Sequence, residues 1–125
     1  MGDLSEHAMQ VKVVQYFRNF YPEIVICSIP NGAGTTAKNR LQLYSEGLLA
    51  GMPDLFVAES RHGFCGLFIE MKTDNGVESN TQQRIRHRLE KNHYLCYVAR
   101  SDTTAIEIIE SYLIEKELMP WKKLN

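Results

Sequence analysis

Gly51-Met52-Pro53-Asp54-Leu55-Phe56-Val57 and, a turn later, Gly66-Leu67-Phe68-Ile69-Glu70-Met71-Lys72 decide how this chain is read. Both are short apolar runs of the kind that form buried strands. Yet the first begins at an acid, Asp54, and the second ends in an acid and a base, Glu70 and Lys72. Alternate residues of a strand share a face. Glu70 and Lys72 therefore lie with Phe68, while Leu67, Ile69 and Met71 face the main core. Between the runs, Glu59-Ser60-Arg61-His62-Gly63 has the composition of a turn and predicts a hairpin. Pairing across it sets Asp54 near the far end of the partner strand, close to Glu70 and Lys72.

Two carboxylates and a lysine at one end of a sheet suit a particular chemistry. A hard cation such as Mg²⁺ takes oxygen ligands and keeps several waters. Asp54 and Glu70 can supply two oxygens and the Met71 backbone carbonyl a third. Lys72 can hold, or help deprotonate, a metal-bound water. A polarised water aimed at a phosphodiester is a hydrolytic device. The same pattern has an ordinary explanation. Glu-x-Lys pairs decorate solvated sheet faces, and an aspartate after proline suits a turn. The three residues alone favour that ordinary explanation.

Working outward, Ser5 to Tyr21 carries Glu6, Gln10, Val13 and Phe17 on one helical stripe, with Asp3 or Ser5 as cap and Pro22 after the end. Glu23 to Ile29 is rich in β-branched residues and predicts a strand, which stops at the Pro30-Asn31-Gly32-Ala33-Gly34 loop. A short helix is predicted from about Ala37 to Leu49, loosened by Gly47 and Gly51. After the hairpin come a loop, Thr73 to Ser79, and a helix, Ser79 to Asn92. A strand, Tyr94 to Ala99, and a last helix, Asp102 to Leu118, capped by Asp102, complete the chain. The expected fold is α/β: a mixed sheet flanked by helices.

The helix after the Glu-x-Lys strand adds to the picture. Gln82, Ile85 and Leu89 share a stripe, so the apolar pair draws Gln82 inward. There it can reach a water or phosphate. Ser79-x-x-Gln82 also fits a capping box, which would fold the glutamine back on the cap N–H. The residues leave the choice between the two open. Arg84, Arg88 and Lys91 form an outer basic stripe, and Arg86 lies one turn from Gln82. Such a run is usually a solvated face; beside a phosphodiester site, the same arginines become candidate phosphate contacts. Lys38 and Arg40, following the glycine-rich loop, are further candidates, but the loop lacks the Gly-Lys-Ser/Thr ending of a nucleotide-binding loop. Glu6 is a weaker candidate carboxylate, since an acid in a first helical turn also suits the helix dipole.

Length and composition set the frame. The chain has 125 residues, one domain's worth, 44% hydrophobic and 23% charged, with a net charge of −1. That balance does not advertise a nucleic-acid binder, although local patches do the binding. The three cysteines, Cys27, Cys65 and Cys96, are an odd number with no Cys-x-x-Cys pair, which argues against zinc or a disulfide framework. Cys27 and Cys96 read as small core residues and Cys65 as inert. No apolar run spans a bilayer and no signal peptide is evident, so no membrane partner and a cytoplasmic location, in a bacterium or a phage-infected host, are expected.

Gly51-Met52-Pro53-Asp54-Leu55, Glu70-Met71-Lys72 and Ser79-x-x-Gln82, in that order, resemble the virus-type replication-repair nuclease (VRR-NUC) domain of the PD-(D/E)xK superfamily. The likeness runs from the first helix to the Tyr94–Ala99 strand and implies one such domain over the whole chain, 1–125. It implies a restriction-endonuclease-like αβββαβ core and hydrolysis of DNA phosphodiesters with Mg²⁺ or Mn²⁺. Asp54 and Glu70 would then be metal ligands, Lys72 the residue that positions the water, and Gln82 a motif member in the site, with Glu6 matching an acidic position less securely. Small members resemble Holliday-junction resolvases and tend to dimerise. The expected function is thus a DNA endonuclease acting on branched or structured DNA, as a homodimer. The rival expectations are a nuclease-fold binding or assembly module with little activity, and a restriction-type enzyme with a recognition element in the Pro30–Gly34 region. His93 departs from the family pattern, which often has glycine after this helix.

Overall fold

A computed structural model describes residues 4–114. Asp3 and the stretch beyond Ile114, where one helix cap and the end of the last helix were expected, lie outside the described residues. The elements run α1 (Glu6–Phe20), β1 (Ile26–Ser28), α2 (Ala37–Ser45), β2 (Leu55–Val57), β3 (Gly66–Met71), α3 (Asn80–Lys91), β4 (Tyr94–Ala99) and α4 (Asp102–Leu113). The sheet order is β1-β2-β3-β4. The first two pairings are antiparallel and β3 with β4 is parallel. A parallel neighbour needs a crossover, and α3 supplies it. This is the mixed, helix-flanked sheet that the sequence predicts.

The strand periodicity sorts the two faces as expected. Leu55 and Val57, Leu67, Ile69 and Met71, and Leu95, Tyr97 and Ala99 all enter one core. Met9, Val13 and Phe17 of α1 and Ala105, Ile108, Ile109 and Tyr112 of α4 cover it. The buried stripe of α1 therefore runs through Met9; Glu6 is exposed and Gln10 only half-buried. Tyr16 and Tyr21 both donate to Glu110 Oε2, at 2.7 and 2.9 Å, and tie α1 to α4. On the opposite face Phe56 stacks on Phe68 with ring centroids 4.5 Å apart, and Tyr94 meets Phe68 edge-on at 5.4 Å. Here α3 packs on β4 and buries Ile85. Every residue of β3 is buried, Glu70 included.

Ser5, one of the two expected caps, holds the start of α1 by accepting from the Ala8 N–H. Other details differ from expectation, each for a local reason. Ser101, not Asp102, caps α4: its hydroxyl accepts from the Thr104 N–H, and Asp102 becomes the first helical residue. Helix α2 stops at Ser45 because Gly47 takes φ +118°, a left-handed backbone that ends a helix. Cys27 is exposed rather than core, since it lies on the outer face of the edge strand β1. Cys96 is buried as expected, and burial pushes its thiol up to about 12.

His93 shows what the departure from glycine means. It sits just past α3 at φ +67°, the conformation for which helix ends favour glycine. Its backbone is needed there, because the His93 carbonyl accepts from the Cys65 N–H at 2.7 Å. The left-handed backbone costs a β-carbon-bearing residue about 1–2 kcal/mol, part of which glycine loses again through its freer unfolded chain. His93→Gly should therefore stabilise the protein by roughly 0.5–1 kcal/mol. Urea unfolding with an unchanged m-value checks this; a drop in midpoint would mean that the imidazole contributes more than the backbone costs.

Candidate active site

The hairpin register brings the acids together. Leu55 pairs with Ile69, so the next step outward sets Asp54 opposite Glu70. Asp54 is held there by its own side chain, since Oδ2 accepts from the Met71 N–H at 2.7 Å. Gly51 shapes the approach to this position. It has φ +90°, and a β-carbon on it would sit 2.9 Å from the Thr81 carbonyl, so the Gly51–Asp54 segment presses directly on the first turn of α3.

Glu70 is only 6% exposed. Lys72 Nζ lies 3.8 Å from its Oε2, and Gln82 Nε2 donates to the same oxygen at 3.1 Å. Burial pushes the Glu70 carboxyl up to about 8; the charge of Asp54 and a hydrogen bond with it push the same way, Lys72 opposes, and Glu6 adds a small push. A raised carboxyl favours its protonated form, and a divalent ion, which needs the ionised Glu70, would compete with that proton.

Gln82 forms the capping box and, with the other end of the same amide, reaches Glu70. Its Oε1 accepts from the Ser79 N–H at 2.8 Å, completing the capping box with Ser79 Oγ on the Gln82 N–H. Its Nε2 then points to Glu70. An N–H demands the amide oxygen and a carboxylate demands the amide nitrogen, so both partners fix the same orientation. The cap is what aims the donor.

The basic candidates separate. Arg84 and Arg88 are exposed on the outer side of α3, and Lys38 is exposed on α2. Arg86, expected as a DNA contact, is instead engaged within the fold. Its Nε and Nη2 grip the Glu78 carboxylate at 3.1–3.2 Å, and Nη1 reaches Glu90 at 3.2 Å. Arg40 turns back to the Gly32 and Thr35 carbonyls, 3.5 and 3.2 Å away, and braces the glycine-rich loop. Glu6, exposed in the first turn of α1, is close enough for its charge to act on Glu70. Sequence reasoning missed Glu78, Gly76 and Arg100. These link the loop after Lys72 to α3 and β4, and no periodicity or spacing signals contacts across eight to twenty-seven residues.

Among the described residues, no three His, Cys, Asp or Glu side chains group closely enough to cage an ion. A magnesium-type site does not need three, because such an ion uses one or two carboxylates, waters and substrate phosphate oxygens. Asp54 Oδ2 holds the Met71 amide, and half-buried Asp54 and buried Glu70 have one lysine beside them, which leaves the site short of positive charge. The donor set fits a small divalent cation.

A hairpin of this register, crossed by a helix into a parallel strand and carrying Asp54, Glu70 and Lys72 at one end, is the architecture of a nuclease-fold domain. The chain belongs to the VRR-NUC domain family, whose model matches residues 4–103. Two solved structures share the fold. A VRR_NUC domain protein superposes with a TM-score of 0.77 at 22% identity, covering 95% of this chain and 96% of its own. A second structure, of a VRR_NUC domain, gives 0.58 at 22% identity over 86% of this chain and 96% of its own. No curated protein matches the chain.

Proposed function

We propose that this nuclease-family domain is a divalent-metal-dependent DNA endonuclease that acts on branched or otherwise structured DNA as a homodimer. The observation that carries the reading is the convergence of half-buried Asp54 on buried Glu70, with Lys72 beside them. Asp54, Glu70 and the Met71 carbonyl would hold Mg²⁺ or Mn²⁺, which when bound supplies Lewis-acid polarisation and an acidified water. Lys72 orients the attacking water and moves its proton, while Gln82 keeps Glu70 aligned. Arg84, Arg88 and Lys38, all exposed, offer phosphate contacts that position a strand without reading bases. A domain this small leaves little surface for sequence readout, which favours recognition by DNA shape. Helix α2 buries none of its residues and exposes Leu41 and Tyr44, apolar surface that a second copy would cover.

The test is a panel of single-stranded, duplex, flap and four-way-junction DNA with Mg²⁺ or Mn²⁺, run beside sedimentation of the free protein. Faster cleavage of flap or junction than of plain duplex is expected. A defined cut pattern on linear duplex with no junction preference would replace shape selection with sequence specificity. Binding without cleavage under either metal would leave a DNA-binding module.

A further inference from the structure

The loop between Lys72 and α3, residues 73–79, leads from one end of the candidate site to the other. Its start follows Lys72 directly; its end is the cap, Ser79, that aims Gln82. Polar groups in this loop have few strand or helix partners, so what holds it decides how well the site is set. At its far end Glu78 is gripped by Arg86. At its near end a different arginine acts. Arg100, the residue after β4, directs Nη1 at three loop carbonyls: Thr73 at 2.8 Å, Gly76 at 2.7 Å and Asp74 at 3.3 Å. The Gly76 N–H closes the same turn on the Thr73 carbonyl at 3.0 Å.

Gly76 is where this hold reaches the site. A β-carbon placed on it would lie 3.2 Å from Lys72 Cδ and 3.4 Å from Lys72 Cβ. The bare Cα of Gly76 therefore lies against the aliphatic stem of Lys72, whose side chain is only 13% exposed. The stem is held between the strand and the loop, and its ammonium is set 3.8 Å from Glu70. The backbone of Gly76 is not left-handed, so glycine is needed here for closeness rather than for conformation.

We infer that Arg100 is a positioning residue for Lys72, acting through Gly76: it draws the loop down so that Gly76 fixes the lysine stem. The inference rests on the nuclease reading above and names the part of the chain that orders that site. A long, flexible lysine held in one rotamer is worth far more to a reaction than a free one, because misplacement by an ångström costs orders of magnitude in rate.

Two variants of unlike chemistry test this. Arg100→Ala removes the anchor and a charge; Gly76→Ala leaves every charge in place and presses most closely on the Lys72 stem, with the Thr73 carbonyl at 3.4 Å. Both are expected to lower kcat on flap or four-way-junction DNA by about 10- to 100-fold, with DNA affinity and its salt dependence unchanged. Arg100→Lys should recover much of the rate, since all three bonds issue from one nitrogen that an ammonium can replace. Hydrogen exchange of the 73–78 amides should speed up in Arg100→Ala, with or without DNA. Unchanged kcat in both variants, or unchanged loop exchange, overturns the inference. So does weaker DNA binding with a shallower salt slope in Arg100→Ala while Gly76→Ala is silent, which would make Arg100 a phosphate contact. If the parent protein cuts none of the DNAs, the nuclease reading fails and the role in catalysis falls with it, while loop exchange still reports whether Arg100 holds the loop.

Discussion

Glu70→Gln and Lys72→Ala should each lose about a thousandfold or more of DNA cleavage while remaining fully folded. The glutamine nearly matches the shape of Glu70. It can accept from Gln82 Nε2 where the carboxylate does now and donate to Asp54, so no buried polar group is left unpaired. What it removes is the negative charge and the second anionic ligand. Lys72→Ala removes the donor beside Glu70 and leaves both carboxylates, so metal binding should survive it and cleavage should not. The pair thus separates the two roles. Metal affinity measured by calorimetry should collapse in Glu70→Gln and persist in Lys72→Ala. Cleavage retained within tenfold by Lys72→Ala would remove the lysine from the reaction.

The second large effect concerns stability and pH. Glu70 rises from an ordinary value of 4.5 to about 8, chiefly through burial and the neighbouring Asp54. The folded state therefore binds the proton more tightly than the unfolded chain. Its stabilising contribution is complete below the unfolded value and is lost as pH climbs through the folded one. Without divalent metal, the protein should lose stability steadily between about pH 5 and pH 9, by at most on the order of 4 kcal/mol. In Glu70→Gln the same range should be nearly flat. Mg²⁺ or Mn²⁺ binds the ionised pair and so should raise the melting temperature more at pH 8 than at pH 6, with protons released on binding. Thermal melts across pH, with and without metal, decide the matter. A parent protein whose stability is level from pH 5 to 9 would show that Glu70 carries its charge at no cost.

Part of this was legible in the chain itself. Apolar alternation in Leu67, Ile69 and Met71 assigned the core face of β3, and turn composition between the two apolar runs gave the hairpin. Together these bring Asp54 to the end of the sheet where Glu70 and Lys72 lie; the exact register, Asp54 opposite Glu70, comes from the pairing of Leu55 with Ile69, because a connection of eight residues does not fix it. Helix stripes were read less sharply. The stripe through Glu6, Gln10, Val13 and Phe17 and the one through Met9, Val13 and Phe17 fit the helical period equally well, and packing buries the second. The cap of α4 lies one residue earlier for a similar reason: Ser101 and Asp102 both qualify chemically, and it is Ser101 that has the extended backbone of a cap and accepts from the Thr104 N–H.

The sequence alone determined the order of elements, the two carboxylates and the lysine, and the motif that marks the family. These depend on local composition and on spacing within one strand or one helix turn. Tertiary structure alone decided which charges are spent and which are offered. Arg86 and Arg84 are two residues apart and look alike in the chain, yet one is clamped by Glu78 and the other faces solvent. Gln82 serves cap and carboxylate at once only because α3 crosses the sheet where Glu70 emerges. Arg100 holds the loop behind Lys72 only because β4 lies parallel to β3 and ends beside it. A charged side chain reaches several ångströms in any direction, so its partner is set by which segments the fold brings within that reach.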